Sequence, residues 1–435
     1  MPLSVAIVGS GPSAFYTAEA LLKSDATCEI DIIERLPAPH GLIRYGVAPD
    51  HQTTKNVSRS YDRIAGDEHV RFYGNVEVDG QISLDELKAM YDAVVLAIGS
   101  PHDNKLRIPG EDKQGVIGSA AFVGWYNGHP EFRDLQPNLD TKAVAVIGNG
   151  NVAIDIARVL VKTREEMASS DITDYAIDAI QASPLTDVYM FGRRGPVEAK
   201  FTNVELREMG HLEICHPVVD PAQLPDEVGE IDNDRDRRLK ERNLATLREF
   251  ITLEPAGKTK RVHFAFFASP VEILGGDRVE GLKLERTKVV DGRAVGSGEF
   301  FVIECGLVVP AIGYRGLNAL GAPFDEGRGV VVNDNGRVGE GVYAVGWIKR
   351  GPTGVIGSNK PDGRTAAEQI VEDCGAGAGK PGRRALEAHL KQAGVRFVDY
   401  DDWGRINEAE VSAVGDRPAP RRKFVTVGEM LAVLN

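Results

Sequence analysis

Two glycine-rich stretches constrain this chain more than any other feature. In the first, the apolar residues 5–8 are followed by Gly9, Ser10 and Gly11 and then by an apolar-periodic segment. A short buried strand, a glycine turn and a helix in this order form a dinucleotide-binding fingerprint. Gly9 permits the tight turn, Gly11 lets a pyrophosphate approach the backbone, and Ala14 lets the helix pack closely on the strand. The amino terminus of the helix then offers free N–H groups to the phosphates.

An acidic residue comes after the first fingerprint. The next apolar run, residues 29–34, ends at Glu34. An acidic side chain about 20 residues beyond the glycines accepts hydrogen bonds from the ribose hydroxyls of a bound dinucleotide. A glycine turn in an ordinary βα unit is the alternative, but such a unit does not require the acid. The first site is therefore predicted to bind a dinucleotide.

The fingerprint occurs a second time. It consists of the apolar residues 144–147 followed by Gly148, Asn149, Gly150, Asn151, Val152 and Ala153. Residues 154–161 continue the pattern of a helix. Two dinucleotide sites on one chain predict two cofactors that face each other.

The two fingerprints differ in the residues at the end of their second strand. The first carries Glu34, whereas the strand predicted at residues 188–191 leads to Arg193 and Arg194. A carboxylate repels a 2′-phosphate, and arginines bind it through charge-assisted hydrogen bonds. At about 1.5–3 kcal/mol for each bond, two arginines would favour NADP over NAD by ~10²- to 10⁴-fold. We therefore assign FAD to the first site and NADP(H) to the second, with a solvated turn as the alternative for the arginine pair.

The length and the order of elements predict an α/β fold of two Rossmann-like dinucleotide-binding domains. A chain of 435 residues is too long for one typical core. Residues 94–99 and 307–313 are similar apolar strands that end in glycine, and we interpret them as the two crossings between domains. The FAD-binding domain is then discontinuous, with residues 1–104 and 310–435, and the NADP-binding domain covers residues 105–309.

Other segments carry more local predictions. The proline-rich residues 36–51 predict an irregular loop that wraps the cofactor ring, with His51 as either a polar contact or an ordinary surface histidine. Residues 76–78 predict a short strand, and residues 262–301 predict an antiparallel set of strands. The glycine loop 351–357 is predicted to open a helix whose amino terminus points at the flavin ring.

Composition argues against several classes of protein. The four cysteines, Cys28, Cys215, Cys305 and Cys374, are scattered, so the chain predicts no redox dithiol, no iron–sulfur centre and no metal site. The net charge of −13 argues against nucleic-acid binding. No apolar run reaches the ~18 residues that a membrane crossing needs. The first strand begins so early that we expect no targeting peptide and a cytoplasmic location.

A basic cluster comes after the acidic residues 226–234. Its members are Arg235, Arg237, Arg238, Lys240 and Arg242, interrupted by Asp236 and Glu241. Acids at the start and basic residues further along suit the dipole of a helix, so residues 235–242 predict a helix. A solvated helix face is the default interpretation of such a run.

With these residues in view, the chain resembles the adrenodoxin-reductase-like family of ferredoxin–NADP reductases over nearly its whole length. The resemblance is carried by GSGP at 9–12, GLIRYGVAPDH at 41–51, GNGNVAID at 148–155, GRRGP at 192–196, Gly346-Trp347 and GVI at 354–356. Many other flavoenzymes with two dinucleotide sites carry Gly-Asp where this chain has Gly346-Trp347. The pair and the proline-containing loop are therefore the specific part of the resemblance.

The resemblance implies a set of site residues. The implied FAD contacts are Ala14, Glu34, Leu42, Val78, Trp347, Gly354, Val355 and Ile356. The implied NADP contacts are Asn149, Gly150, Asn151, Val152, Arg193, Arg194, Glu205 and Gly354. His51 and Asp155 would lie near the flavin and the nicotinamide, where they orient the rings rather than act as an acid–base pair.

The resemblance also implies an activity. Members pass electrons from NADPH through FAD to a separate, acidic [2Fe–2S] ferredoxin, and the absence of iron–sulfur cysteines from this chain fits a separate partner. The candidate docking face consists of Arg207, Arg235, Arg237, Arg238, Lys240 and Arg242. Because charges are screened beyond ~8 Å, this local face matters more than the net charge. Two alternatives stay open: a reductase of small-molecule acceptors such as quinones, and a redox sensor with little turnover that binds FAD and NADP.

Overall fold

The computed structural model describes residues 2–318 and 320–435. It divides into two compact units. The first consists of Met1–His102, Asn127–Arg133 and Gly313–Asn435, and the second of Asp103–Tyr126 and Asp134–Ile312. Each unit is built on a sheet whose strands are all or mostly parallel, together with helices, so the predicted α/β class is confirmed.

The strands are numbered in chain order. They are β1 (Leu3–Val8), β2 (Cys28–Ile33), β3 (Val70–Tyr73), β4 (Ala93–Leu96), β5 (His102–Asp103), β6 (Ala143–Ile147), β7 (Asp187–Phe191), β8 (Cys215–Val219), β9 (Lys260–Ala265), β10 (Ala268–Leu274), β11 (Gly281–Val290), β12 (Arg293–Glu304), β13 (Leu307–Pro310), β14 (Tyr314–Arg315), β15 (Phe324–Asp325), β16 (Val330–Val331), β17 (Arg337–Gly339) and β18 (Val342–Ala344).

The α-helices are numbered in the same way. They are α1 (Pro12–Leu22), α2 (Leu42–Tyr45), α3 (Gln52–Lys55), α4 (Ser58–Ala65), α5 (Leu84–Met90), α6 (Ser119–Asn127), α7 (Asn151–Val161), α8 (Asp174–Ala182), α9 (Asn203–Glu208), α10 (Asp234–Thr252), α11 (Trp347–Arg350), α12 (Asn359–Cys374), α13 (Arg383–Gln392), α14 (Tyr400–Ser412) and α15 (Val427–Ala432). Short 3-10 helices cover Pro130–Phe132, Pro196–Glu198, Pro221–Gln223 and Ile356–Ser358. None of the described helices is long and apolar enough to cross a lipid bilayer.

The first unit carries a six-stranded sheet in the order β17-β18-β4-β1-β2-β3. All neighbours are parallel except β17 and β18. Every residue of β1 and β4 is buried, as expected for central parallel strands covered on both faces. One face packs against α1 and α12, and the other against α5 and α13. The carboxyl ends of β1, β2 and β4 therefore meet at one edge, where a ligand of such a sheet binds.

The second unit has a five-stranded parallel sheet in the order β13-β6-β7-β9-β8. A separate antiparallel sheet contains β10, β11 and β12. The prediction of one antiparallel set over residues 262–301 was therefore wrong for β9. Its Val262 and Phe264 are buried in the parallel sheet, and alternating burial at such a short strand does not reveal the direction of its neighbours.

Two further local predictions differ from the structure. The loop at residues 36–51 contains the one-turn helix α2, which begins after Gly41 (φ +49°). Residues 76–78 do not form a strand, because Asn75 and Asp79 turn the chain on either side with φ values of +61° and +69°. Val78 makes only a single bridge to Ile82.

Candidate dinucleotide-binding sites

The first glycine of each fingerprint is required by the backbone. Gly9 has φ +101°, and a Cβ atom there would lie 2.6 Å from the carbonyl oxygen of Ala97. Gly148 has φ +149°, and its Cβ would lie 2.3 Å from the carbonyl oxygen of Ala311. The two sheets therefore use the same device, a glycine turn pressed against the end of the neighbouring strand.

The second glycine of each fingerprint is not required by the chain itself. Gly11 and Gly150 have extended backbone at φ −79° and −116°. A Cβ at either position would meet no described atom within 4 Å. The open space in front of these two residues fits a ligand that must approach the backbone closely, as a pyrophosphate does.

The amino termini of both fingerprint helices lack a side-chain cap. α1 begins after Gly11 and α7 begins after Gly150, and neither helix has a side-chain cap. Neither first turn contains an acidic residue. The positive end of each helix dipole therefore suits an anionic group.

Glu34 is fixed beside the first glycine turn. Its Oε2 accepts hydrogen bonds from the backbone N–H (3.0 Å) and the hydroxyl (2.7 Å) of Ser10. Its Oε1 accepts the backbone N–H of Leu36 at 3.1 Å. A carboxylate has about four acceptor positions, so this one retains capacity for a ribose hydroxyl. The acid predicted from sequence therefore lies beside the first glycine turn.

The loop 36–51 lies directly over the first glycine turn. The backbone N–H of His40 donates to the carbonyl of Ser10 at 3.0 Å. A Cβ on Gly41 would lie 3.1 Å from the Cα of Gly11, so the two glycines are in close approach. Leu42 begins α2 with 46% of its surface exposed, which offers an apolar face beside the open turn.

The segment that starts at Gly346 lies against α1, the helix of the first fingerprint. Gly346 has φ +70°, and its Cβ would lie 2.8 Å from the Cβ of Ser13 on α1. The indole N–H of Trp347 donates to the carbonyl of Thr353 at 3.2 Å, which fixes the loop before α12. In that loop Gly354 has φ +86°, and Val355 is 71% exposed.

Other implied FAD residues are less accessible. Ala14 is fully buried between α1 and the sheet, which matches its predicted packing role. Val78 is 9% exposed and belongs to the core beside α5. Ile356 begins the 3-10 helix that leads into α12, and it packs against the same core as α1.

In the second unit, two of the predicted site residues each have a buried oxygen atom without a protein partner. These atoms are Oδ1 of Asn149 and Oε2 of Glu205, which find no hydrogen-bond donor in the described chain. The main chain around them is fixed, because Lys200 N–H donates to the carbonyl of Asn149 and Thr202 N–H donates to Oδ1 of Asn151, both at 2.7 Å. Buried polar atoms are almost always satisfied, so these two point to a ligand with hydrogen-bond donors.

The arginine pair lies just after β7, as predicted. Arg193 is exposed and Arg194 is half-buried, with its Nη1 3.4 Å from the carbonyl oxygen of Gly292. The carbonyl of Arg193 accepts the hydroxyl of Thr287 at 2.7 Å, which holds the turn against β11. The described residues provide neither guanidinium with a carboxylate, so both charges are available to a phosphate.

The two proposed orienting residues have different surroundings. Asp155 lies on α7, where its Oδ1 is 2.9 Å from Nη1 of Arg158. Arg158 is fully buried and also reaches Glu208 at 3.2 Å, an arrangement that the sequence patterns did not predict. His51 precedes α3 and is half-buried.

The basic cluster lies on a longer helix than predicted. α10 continues to Thr252, because Leu244, Leu247 and Phe250 extend a buried stripe at helical spacing. Nζ of Lys240 donates to the carbonyl of Val197, and Arg237 pairs with Asp234 at 2.5 Å. The exposed basic residues are Arg207, Arg235, Arg237, Arg238 and Arg242.

Comparison with known proteins agrees with this geometry. Residues 3–182 match the family described as pyridine nucleotide-disulphide oxidoreductase. The NADPH-ferredoxin reductase FprA of Mycobacterium tuberculosis is 39% identical over 452 residues, covering 99% of each chain. The mitochondrial NADPH:adrenodoxin oxidoreductase of Arabidopsis thaliana is 40% identical over 459 residues, covering 99% of this chain and 95% of that protein.

A solved structure shows the same similarity in three dimensions. M. tuberculosis FprA in complex with NADPH matches this chain with a TM-score of 0.94 at 38% identity, covering 100% of this chain and 99% of that one. The resemblance of the motifs is therefore confirmed over the full length. The chain belongs to the family of NADPH-ferredoxin and NADPH:adrenodoxin reductases.

Proposed function

We propose that this protein is an oxidoreductase that passes electrons from NADPH through FAD to a ferredoxin-type iron–sulfur protein. The observation that carries the proposal is the presence of two open glycine turns with different neighbours. One has the carboxylate of Glu34, and the other has the guanidinium groups of Arg193 and Arg194. Relatives over the whole chain are named for NADPH and for ferredoxin or adrenodoxin, which supports the same pair of substrates.

The first unit is proposed to hold FAD. The proposed residues are Gly9, Gly11, Ala14, Glu34, Leu42, Val78, Trp347, Gly354, Val355 and Ile356. FAD, when bound, supplies the exchange between a two-electron hydride and single electrons. The chain contributes the N–H groups of α1 for the pyrophosphate and Glu34 for the ribose. Leu42 and Val355 contribute exposed apolar surface that a flavin would cover, which keeps water away from the ring.

The second unit is proposed to hold NADP(H). The proposed residues are Asn149, Gly150, Asn151, Val152, Arg193, Arg194 and Glu205, and the family resemblance adds Gly354. The N–H groups of α7 bind the pyrophosphate, and the two arginines bind the 2′-phosphate. The buried oxygen atoms of Asn149 and Glu205 accept hydrogen bonds from the hydroxyl or amide groups of the nucleotide.

His51 and Asp155 are proposed to orient the rings. The salt bridge between Asp155 and buried Arg158 supports this role, because it holds the carboxylate in one position. Placement of the reacting rings is then the main contribution of the protein to the rate.

The electron acceptor is proposed to be a separate acidic [2Fe–2S] ferredoxin. Exposed arginines on α9 and α10 offer a positive surface of the kind that an acidic partner recognises. The docking residues are then Arg207, Arg235, Arg237, Arg238, Lys240 and Arg242. The cytoplasmic location stays a prediction.

One assay tests the function. The purified protein is mixed with NADPH and cytochrome c, with and without a [2Fe–2S] ferredoxin, and cytochrome c reduction is measured. Strong stimulation by the ferredoxin supports the proposal. Equal turnover with a quinone or dye and no stimulation would identify a reductase of small molecules. Bound FAD that NADPH does not reduce would identify a redox sensor.

A further inference from the structure

A buried ion pair connects α14 to the loop that lies over the first glycine turn. Arg44, on α2, is 6% exposed, and Glu410, on α14, is fully buried. Nη1 of Arg44 donates to Oε2 of Glu410 at 2.9 Å, and Nη2 donates to Oε1. The two residues are 366 positions apart in sequence. Glu410, in the C-terminal part of the chain, therefore holds this loop through the side chain of Arg44.

The same carboxylate also organises the segment after α14. Oε1 of Glu410 accepts the backbone N–H of Phe424 at 2.8 Å, and Oε2 lies 3.5 Å from Nη1 of Arg421. The ammonium of Lys423, in the same segment, donates to the carbonyl of Arg44 at 3.1 Å. Glu410 and Lys423 thus hold α2 at its side chain and at its backbone.

α2 needs this support because it cannot be stable by itself. It has only one turn, and an isolated helix of that length does not form in water. It begins after Gly41, which is in close approach to Gly11, and its first residue is the exposed Leu42. A shift of α2 would therefore move both the backbone over the pyrophosphate position and the apolar side chain proposed to cover the flavin.

We propose that Glu410 is a positioning residue for FAD, which acts through Arg44 and α2. This inference rests on the proposed FAD site of the first unit. The proposed role of Glu410 is to hold α2 in the position that binds the flavin, and Glu410 itself is proposed to touch no ligand. A buried pair contributes little net stability but is costly to break on one side, so loss of Glu410 releases Arg44 and the turn that carries it.

If Glu410 only stabilised the fold, its loss would affect FAD binding no more than the loss of another buried carboxylate. A second buried carboxylate, Asp92, therefore distinguishes a positioning role from a structural one. Asp92 is 7% exposed and accepts the backbone N–H and the hydroxyl of Ser4, at 3.0 and 2.9 Å, and the N–H of Ala378, at 2.9 Å. It lies at the amino-terminal end of β4, whereas the glycine turn follows the carboxyl-terminal end of the parallel strand β1. Asp92→Asn is therefore a control that disturbs the same unit without touching the loop.

The experiment titrates FAD into the apoproteins of wild type, Glu410→Gln and Asp92→Asn, and records flavin fluorescence and the apoprotein Tm. We expect Glu410→Gln to raise the Kd for FAD by about tenfold or more. With FAD saturating, its KM for NADPH should stay within about twofold of wild type, because the second unit is unchanged. Asp92→Asn should lower Tm and leave the Kd for FAD unchanged.

The inference is overturned if Glu410→Gln binds FAD as wild type does, or if both variants weaken FAD binding in proportion to their loss of Tm. Should Glu410→Gln not fold, Lys423→Met takes its place, because it removes the bond to the Arg44 carbonyl and makes the same prediction for the Kd. Failure of the proposed function shows in the wild-type protein, which would then bind no FAD. Failure of the inference shows only in the variants.

Discussion

At the scale of single residues, the two glycines of one turn have different tasks. Gly9 is required by the fold, because a Cβ would lie 2.6 Å from a backbone oxygen at φ +101°. Gly11 has an ordinary φ and open space around it. We expect Gly9→Ala to destabilise the apoprotein by roughly 2–4 kcal/mol through strain and overpacking. Gly11→Ala should change apoprotein stability by less than about 1 kcal/mol.

The two variants separate again when FAD is added. Gly11→Ala should weaken FAD binding at least ~10-fold, because its methyl group occupies the space where the pyrophosphate approaches. Thermal unfolding of the apoprotein and FAD titration check the pair. Equal FAD affinity in Gly11→Ala and wild type would show that the open space is not the phosphate position.

We also propose that coenzyme choice depends on two residues. Replacing Arg193 and Arg194 by Ala should raise the KM for NADPH at least ~100-fold relative to the KM for NADH, since two charge-assisted bonds are lost. Steady-state kinetics with both coenzymes measure the ratio. Arg286→Ala, at an exposed arginine paired with Glu299 in the same unit, is the control and should leave the ratio unchanged. Equal effects on both coenzymes would refute the assignment.

The residues that could and could not be predicted from sequence differ in the range of their interactions. Gly9 and Glu34 could be predicted, because a fingerprint specifies a local backbone path and the acid at the end of the next strand. The pair Arg44–Glu410 could not be predicted, because its members are 366 positions apart and nothing local indicates a buried guanidinium. Arg158 is similar: an arginine within a helical pattern suggests a solvated residue until the packing is known.

At the scale of elements, strands β7 and β9 are joined by a cluster of charges. Asp187 accepts hydrogen bonds from Nε (2.7 Å) and Nη2 (2.9 Å) of Arg261, and it lies 2.7 Å from Nε2 of His263. Burial alone would raise the pKa of Asp187, but the bonds from Arg261, His263 and Thr186 outweigh it and lower the pKa to about 2. In the folded protein the carboxylate therefore stays ionised at pH values below its ordinary pKa.

This pKa has a consequence for acid stability. A carboxyl whose pKa is depressed by folding stabilises the protein above its unfolded pKa of 3.8 and loses that effect as the pH falls towards 2. Asp187→Asn should therefore cost about 1–2 kcal/mol of unfolding free energy at pH 5, a range that allows for the half-exposed Arg261. The difference from wild type should shrink between about pH 4 and pH 2.

Urea unfolding at pH 5, 4 and 3 measures this difference. Asp178→Asn, at an exposed ion pair with Arg164, is the control and should show no such trend. A difference between wild type and Asp187→Asn that stays constant from pH 5 to pH 3 would contradict the assignment.

Element type was easier to predict than element partners. The alternation of strands and helices predicted both parallel sheets. Strands of a parallel sheet are buried on both faces, so they occur in the sequence as continuous apolar runs, and here several of these runs end in glycine. The length of α10 was underestimated because the charged residues at its start hide the buried stripe further along. The direction of β9 was missed because it is decided by pairing with β7 and β8, which are distant in sequence.

At the scale of the whole molecule, charge is the property that we propose to govern docking of the ferredoxin. The chain has a net charge of −13, which would repel an acidic ferredoxin if it were spread evenly. Because charges are screened over ~8 Å at physiological salt, we expect the proposed local face on α9 and α10 to matter more than the net charge. Arg235 and Arg238 are the test positions, because both are exposed on the first turns of α10.

We expect the double variant Arg235→Glu, Arg238→Glu to reduce ferredoxin-dependent cytochrome c reduction at least ~10-fold at low salt, because reversed charges slow association. NADPH oxidation with a small dye should be unchanged, since it needs no docking. The double variant Lys288→Glu, Arg293→Glu changes the net charge equally, at exposed positions of β11 and β12. If net charge governed the encounter, both double variants would be impaired alike; if the local face governs it, only the first is impaired, and the loss diminishes as salt is added.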